Sequence, residues 1–308
     1  MAETTNLVDL GSYKLEVTIR GPPRRAHNPI VIIIPDIACS IKEWAAVTQL
    51  LAESMSVVNY ERGGFGQSEL PPESDERSAK DLAQELHTML RVGKMAPPYI
   101  VVAHADGGII LREFIKLRNL AQFKGFVFVD GNTGQASLAT QSTCTLSVMS
   151  PLNSLRLCYE GCHRMGDRAW QALMEEMDRF GPAVSGEIGG YYANVEKNGE
   201  IKKPANIEQP EFGRVPLYVL HGDYSVDWDK MEAEAERLGY RQDSEKETDD
   251  MRMLRGIGVI TEDKMKALRS LSERFKFEYV GGVGQRLHLS APEKVADAVT
   301  WILMQYRC

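Results

Sequence analysis

Several side chains able to take part in chemistry stand just after apolar runs of this 308-residue chain. Asp36 follows the run at 30–34, Asp223 follows the run at 217–221, and Gln285 and His288 share a loop near the C-terminus. Asp36 and His288 are the best candidates for proton transfer, because burial can bring the pKa of a carboxyl group or an imidazole into a useful range. Gln285 cannot act as a base near neutral pH, so we expect its amide to orient a carbonyl group. Asp223 is a further candidate acid.

The segment YIVVAHADGGII at 99–110 predicts a strand, a sharp turn and a helix. Small residues stand two positions before Ala105 and two and three positions after it, a spacing needed where the chain must turn sharply. Ala105 itself offers only a methyl group, which cannot act as a nucleophile. We expect the adjacent His104 to support the turn, and the backbone N–H groups of Ile37 and Asp106 to polarise an oxygen atom.

Apolar runs alternate with amphipathic segments along most of the chain, which predicts a mostly parallel sheet covered by helices. The predicted strands are 13–19, 30–34, 56–60, 99–103, 125–130, 217–221 and 275–280. The predicted helices are 42–53, 78–92, 107–119 and one that begins at Pro292, since proline favours the first turn.

Two stretches interrupt this alternation. Residues 131–214 show no strand pattern, so we interpret them as a helical insertion over the sheet. Residues 229–274 are rich in charge and predict a solvated helical excursion.

Composition narrows the classes of partner. The net charge is −7 and no basic stripe is visible, which argues against nucleic acids and anionic membranes. No apolar run is long enough for a membrane span and residues 1–9 contain no apolar signal core, so we expect a soluble, cytoplasmic protein. Cys158 and Cys162 have no second pair, so we expect neither a metal nor another cofactor. The expected partner is a small-molecule substrate; the oligomeric state is open, with a homodimer as one alternative.

Five segments, in order, resemble motifs of the α/β-hydrolase fold superfamily, in particular its fungal members. The segment at 99–110 resembles the nucleophile elbow, and IPDI at 34–37, followed by Trp44, resembles the oxyanion loop. YERGGFGQS at 60–68 is similar to the loop after an early strand, LYVLHGD at 217–223 to the strand that leads to the catalytic acid, and VGQRLHLSAPEKV at 283–295 to the histidine loop.

The resemblance implies an α/β-hydrolase fold with a mostly parallel central sheet of about eight strands. Its core would comprise residues 1–130 and 215–308, and residues 131–214 would form a helical cap. The motifs would then meet under the cap, at the carboxyl ends of the strands.

The catalytic triad that the resemblance implies is degenerate. Ala105 stands at the position of the nucleophile and Gln285 at that of the histidine, while Asp223 or Asp227 is the remaining acid. Asp36 stands where the family usually has glycine, and its negative charge would oppose a developing oxyanion unless it is protonated.

Three hypotheses follow for the function. The first is a non-hydrolytic enzyme of specialised-metabolite biosynthesis that acts on a small apolar molecule by acid–base chemistry: elimination, isomerisation or cyclisation. The second is a pseudo-hydrolase that binds a small ligand without turnover. The third is a serine hydrolase, an esterase or lactonase, in which alanine has replaced the natural nucleophile at position 105.

Overall fold

Eight strands form one mixed sheet at the centre of the molecule. A computed structural model describes residues 2–25, 27–131, 151–177, 179–198, 210–238 and 262–307. The strands are β1 (Glu3–Asp9), β2 (Lys14–Arg20), β3 (Ile30–Ile34), β4 (Val57–Tyr60), β5 (Tyr99–His104), β6 (Phe123–Val129), β7 (Leu217–Gly222) and β8 (Phe275–Val280). Their order is β1-β2-β4-β3-β5-β6-β7-β8. β2 runs antiparallel to β1 and β4, and all other neighbours are parallel.

Helices cover the sheet and follow most of its strands. In the described part of the chain they are α1 (Ala45–Leu51), α2 (Ala79–Val92), α3 (Gly107–Lys116), α4 (Pro151–Tyr159), α5 (Asp167–Met177), α6 (Gly181–Asn198), α7 (Tyr224–Arg237), α8 (Glu262–Arg269), α9 (Leu287–Ser290) and α10 (Pro292–Arg307). Short 3₁₀ turns occupy Ile41–Trp44 and Leu120–Gln122. None of the described helices is long and apolar enough to cross a membrane.

The core has two layers because strand residues alternate between the two faces of the sheet. In β3, Ile30, Ile32 and Ile34 pack with residues of α2 and α3, whereas Val31 and Ile33 pack with residues of α1 and α10. All five β3 residues are buried, which explains why the run of β-branched residues is continuous.

The register between β3 and β5 positions the site. The two strands are parallel and pair from Ile30 opposite Tyr99 to Ile34 opposite Ala103. The loop after β3 and the turn after β5 therefore leave the same edge of the sheet side by side, which brings Asp36 next to Ala105.

Seven strands were predicted from the sequence, and all seven are present with ends shifted by up to a few residues. The eighth, β1, was missed because it is an edge strand whose residues are mostly exposed and show no apolar alternation. Helix α3 ends at Lys116, three residues before the predicted end, and α10 begins at Pro292 as predicted.

The helical cap at 131–214 stays a prediction as a domain. The described residues between 151 and 198 form α4, α5 and α6, while 132–150 and 199–209 lie outside the described residues. For the charged stretch 229–274, the described part consists mainly of the end of α7, helix α8 and the turn after it, and residues 239–261 lie outside the description.

Candidate active site

The turn after β5 has the strained backbone expected of an elbow. Ala105 adopts φ +45°, a region that side-chain-bearing residues rarely occupy. Its N–H donates to the carbonyl of Val129 at 3.0 Å, which ties the turn to the end of β6. A Cβ atom added at Gly107 would lie 2.6 Å from the carbonyl oxygen of Ile34, so glycine is required where α3 begins against β3.

Asp36 lies against this elbow, and two backbone N–H groups bind its carboxyl group. Its Oδ1 accepts a hydrogen bond from the N–H of Ile37 at 2.9 Å and another from the N–H of Asp106 at 3.0 Å. Asp106 precedes α3, so its N–H also carries the positive end of the helix dipole. The two donors expected to polarise a substrate oxygen therefore hold a carboxylate of the protein itself.

The pKa of Asp36 is raised to about 7, mainly by desolvation and then by the negative charge of Asp106. The nearby Arg286 and the two N–H donors act in the opposite direction and lower this pKa. Asp36 can therefore both accept and release a proton near neutral pH.

A buried guanidinium fixes the backbone of the loop that carries Asp36. Arg62 donates to three carbonyl groups of this loop, at 3.2, 2.7 and 3.1 Å, those of Pro35, Asp36 and Cys39. It also forms a two-pronged ion pair with Glu187 of α6, at 2.7 and 2.8 Å. The Glu187 oxygen that accepts the second of these bonds also accepts one from the N–H of Ala38, at 2.7 Å. The loop is thus clamped between the core and α6.

Gln285, which the resemblance places at the position of the family histidine, has its backbone held by Asp227. The N–H of Gln285 donates to Asp227 Oδ2 at 2.7 Å, and the hydroxyl of Tyr159 donates to the same oxygen at 2.6 Å. A Cβ atom added at Gly284 would lie 2.1 Å from Asp227 Oδ1, so the two segments are in close contact. Burial raises the pKa of Asp227.

Asp223, a candidate acid from the sequence, has a carboxyl group whose shortest hydrogen bond is with a residue of the helix that follows it. It is the N-cap of α7 and accepts from the N–H and the hydroxyl of Ser225 at 3.2 and 2.6 Å. This hydrogen bonding lowers its pKa. Of the two acids that the sequence left open, Asp223 and Asp227, it is Asp227 whose carboxyl group accepts a hydrogen bond from the backbone of Gln285.

His288 lies beneath the elbow in a cluster of rings. It is fully buried, stacks on Trp44 with ring centroids 4.2 Å apart, and packs edge-on against His104 at 4.7 Å. Its Nε2 lies 3.4 Å from a carboxylate oxygen of Glu43. Burial lowers the pKa of both imidazoles. A ring without exposed surface cannot touch a substrate in this conformation, which argues against His288 as the proton-transfer group.

Two side-chain pairs near the site were not found from the sequence. Arg286 forms a partly buried ion pair with Glu43 and donates to the sulfur of Cys39 at 3.2 Å. Asp130, at the end of β6, pairs with His221 of β7 at 2.9 Å between Oδ1 and Nδ1. The partners of each pair are far apart in the sequence, so no local pattern predicts that they meet.

The mostly parallel sheet of eight described strands matches the sheet that the resemblance implied, and solved structures have a similar fold. An esterase from Thermogutta terrifontis superposes with a TM-score of 0.62 at 13% identity, covering 99% of this chain and 100% of the esterase. The epoxide hydrolase CorEH gives the same TM-score at 13% identity, with 99% of both chains covered. The chain has the α/β-hydrolase fold. A membrane phospholipase A also superposes, with a TM-score of 0.65 at 15% identity over 99% of this chain and 87% of the other.

Two fungal proteins are similar in sequence. One, from Hormonema carpetanum, is named "Probable transporter efuK" and is 24% identical over 307 residues, which are 97% of this chain and 43% of that protein. The other, from Gibberella zeae, is named "AB hydrolase superfamily protein" and is 32% identical over 146 residues, 46% of this chain and 45% of that protein. The chain thus spans less than half the length of both relatives. No family profile matches it.

We predict that Glu187→Ala lowers the free energy of unfolding by about 3–5 kcal/mol, because it leaves Arg62 charged and buried without its partner. The side chains of this pair are 1% and 0% exposed. Glu211→Ala is the matched control, since Glu211 pairs with Arg112 with side chains 23% and 27% exposed. The control should cost about 1 kcal/mol or less. Urea denaturation of both variants measures the difference, and equal losses would contradict the proposed clamp.

We also predict that the protein does not hydrolyse p-nitrophenyl acetate above background and that Ala105→Ser alone restores little activity. A serine there would still lack a base at Gln285, and Asp36 would still fill the N–H pair. The combination of Ala105→Ser, Gln285→His and Asp36→Gly should be more active than any of its single or double subsets. Strong turnover by Ala105→Ser alone would show that a different residue, such as His288, supplies the base.

Proposed function

We propose that this protein catalyses a non-hydrolytic acid–base reaction on a small, largely apolar molecule, with Asp36 as the proton-transfer group. The observation that carries the proposal is the position of Asp36 Oδ1 between the N–H groups of Ile37 and Asp106. Elimination, isomerisation and cyclisation are the reaction classes that need such a group. Specialised-metabolite biosynthesis is the proposed setting, and the cytoplasm the proposed compartment.

The geometry supports this chemistry over ester hydrolysis for three reasons. Ala105 supplies no nucleophile, and the amide of Gln285 supplies no base. In addition, the N–H pair already binds a carboxylate, so a tetrahedral intermediate would have to displace it or meet its negative charge. The hypothesis of a serine hydrolase that lost only its nucleophile accounts for the first of these features and leaves the other two unexplained.

The anchored carboxylate suits proton abstraction. Because Oδ1 accepts both hydrogen bonds, Oδ2 remains as the oxygen that takes the proton. The carboxyl group is partly buried, and desolvation both raises its pKa and strengthens it as a base. In an elimination, Oδ2 would take a proton from carbon, and the electron pair of that C–H bond would form a new double bond. The bond between the adjacent atom and the leaving group would break, and the leaving group would depart with that bonding pair.

A small carbon acid provides the test, because it reports on a desolvated base whatever the natural substrate. In 5-nitrobenzisoxazole, removal of the ring C–H proton breaks the N–O bond and releases a coloured phenolate. We predict that the protein accelerates this reaction and that the rate rises with pH through a midpoint near about 7, as Asp36 loses its proton. Asp36→Asn should lower the rate by roughly 10²-fold, the usual contribution of a positioned base.

The matched control is Asp297→Asn, which removes an exposed carboxylate of α10 and should leave the rate unchanged. A rate that survives Asp36→Asn, or that does not follow the predicted pH dependence, would contradict the role of Asp36. Tight binding of the probe without any turnover would favour the second hypothesis, a pseudo-hydrolase that binds a small ligand.

A further inference from the structure

A cavity of about 550 Å³ lies at the amino ends of β6 and β7, at the edge of the sheet opposite to Asp36 and Ala105. We call it the basic cavity, after Lys124, Arg214 and Arg274, which line it. The seven residues of β6 separate the two edges by roughly 20 Å, because a strand rises about 3.3 Å per residue. We propose that the basic cavity binds a small organic anion that carries a carboxylate or phosphate head group on an apolar body.

Positive charge dominates the wall of the basic cavity, although the chain as a whole has a net charge of −7. The described residues that line it include three basic side chains and no acidic one. Arg214 lies 3.8 Å from a carboxylate oxygen of Glu273, but both side chains are more than half exposed, so water weakens this ion pair. Arg274 is also exposed, and no ion pair joins it to another described residue. Both guanidinium groups are therefore available to an anion from solution.

The chemistry of these side chains selects the head group of the ligand. A planar guanidinium can donate two parallel hydrogen bonds to a carboxylate or a phosphate, and an ammonium group adds a compact positive charge. Like charges that line one cavity also repel each other, and a bound anion removes that repulsion. A neutral ligand of the same shape gains neither of these terms.

Apolar side chains form most of the remaining wall. Leu120 and Val215 are partly exposed and Ala121 is exposed, so these three offer surface to a ligand. Phe123 and Phe212 also line the cavity and are themselves buried. A volume of about 550 Å³ lies within the range of roughly 300–1,000 Å³ that is typical of small-molecule sites. An apolar body of one or two rings therefore fits beside the head group.

Hydrogen bonds hold the backbone that carries the two arginines. The N–H of Leu217 donates to the carbonyl of Arg274 at 2.8 Å, and the N–H of Glu273 donates to the carbonyl of Gly213 at 2.9 Å. Gly213, next to Arg214, has φ +52°, a conformation that glycine adopts without strain. Because this turn is fixed before a ligand arrives, binding does not have to order it.

Isothermal titration with 1-naphthoate and 1-naphthyl phosphate, and with 1-naphthol as their neutral counterpart, tests the proposal. We expect both anions to bind at about pH 7, with an affinity that falls as salt is added, because they pair with exposed cations. 1-Naphthol should bind about tenfold or more weakly. In ¹H–¹⁵N spectra the amide signals of Lys124 and Gly213 should shift during the titration, whereas those of Ile37 and Asp106 should not.

Three variants separate the charge of the basic cavity from its shape. Arg214→Gln and Arg274→Gln should each weaken anion binding by about tenfold, since each removes a charge-assisted hydrogen bond. Ala121→Trp keeps every charge but fills the cavity, so it should weaken binding by at least as much. The matched control is Arg91→Gln, which removes an exposed arginine of α2 that does not line the cavity and should leave the affinity unchanged.

Equal affinity for 1-naphthol and the two anions would overturn the proposal, as would absence of anion binding or an unchanged affinity in both arginine variants. Binding that shifts the amide signals of Ile37 and Asp106 instead of Gly213 would place the ligand at the candidate active site and would equally contradict it. Asp36→Asn should bind both anions as the unaltered protein does. The outcome is therefore independent of whether Asp36 accelerates proton abstraction from 5-nitrobenzisoxazole.

Discussion

The two hydrogen bonds from Ile37 and Asp106 to the Asp36 carboxylate govern the rest of the site. They exist because parallel β3 and β5 end side by side, so that the loop after one strand meets the turn after the other. Even a partly buried carboxylate is costly without hydrogen-bond donors, and here backbone N–H groups supply them. Two N–H groups that the resemblance assigns to a substrate oxygen thereby bind the carboxylate of Asp36, the proposed acid–base group.

This arrangement in turn depends on an ion pair that connects the loop after β4 to helix α6. Arg62 and Glu187 are both fully buried, and together they satisfy the carbonyl and N–H groups of the loop around Asp36. Because both groups lose their hydration, such a pair contributes little to the net free energy of unfolding. Removal of one partner is nevertheless strongly destabilising, because it leaves a buried charge unpaired. We therefore regard the pair as a device that fixes one position of α6 and of the loop, and only secondarily as a source of stability.

The sequence allowed the sheet and the elbow to be predicted, because both have local signals. A run of β-branched residues marks β3, and small residues around Ala105 mark the turn. Edge strand β1 lacks such a signal, since its residues are mostly exposed and polar and show no apolar alternation. The contacts that define the site are of another kind. Arg62 and Glu187 are 125 positions apart, and Asp227 meets Tyr159 across 68, so only the folded chain brings them together.

The protonation of Asp36 is the most direct test of this account. Carbon-13 NMR of protein labelled at the aspartate carboxyl groups, with Asp36→Asn used to assign the signal, gives the pKa of this one side chain. The account predicts a midpoint near about 7, with the amide signals of Ile37 and Asp106 shifting over the same pH range. A midpoint near the unperturbed value of about 4, with both amide signals unchanged, would contradict it.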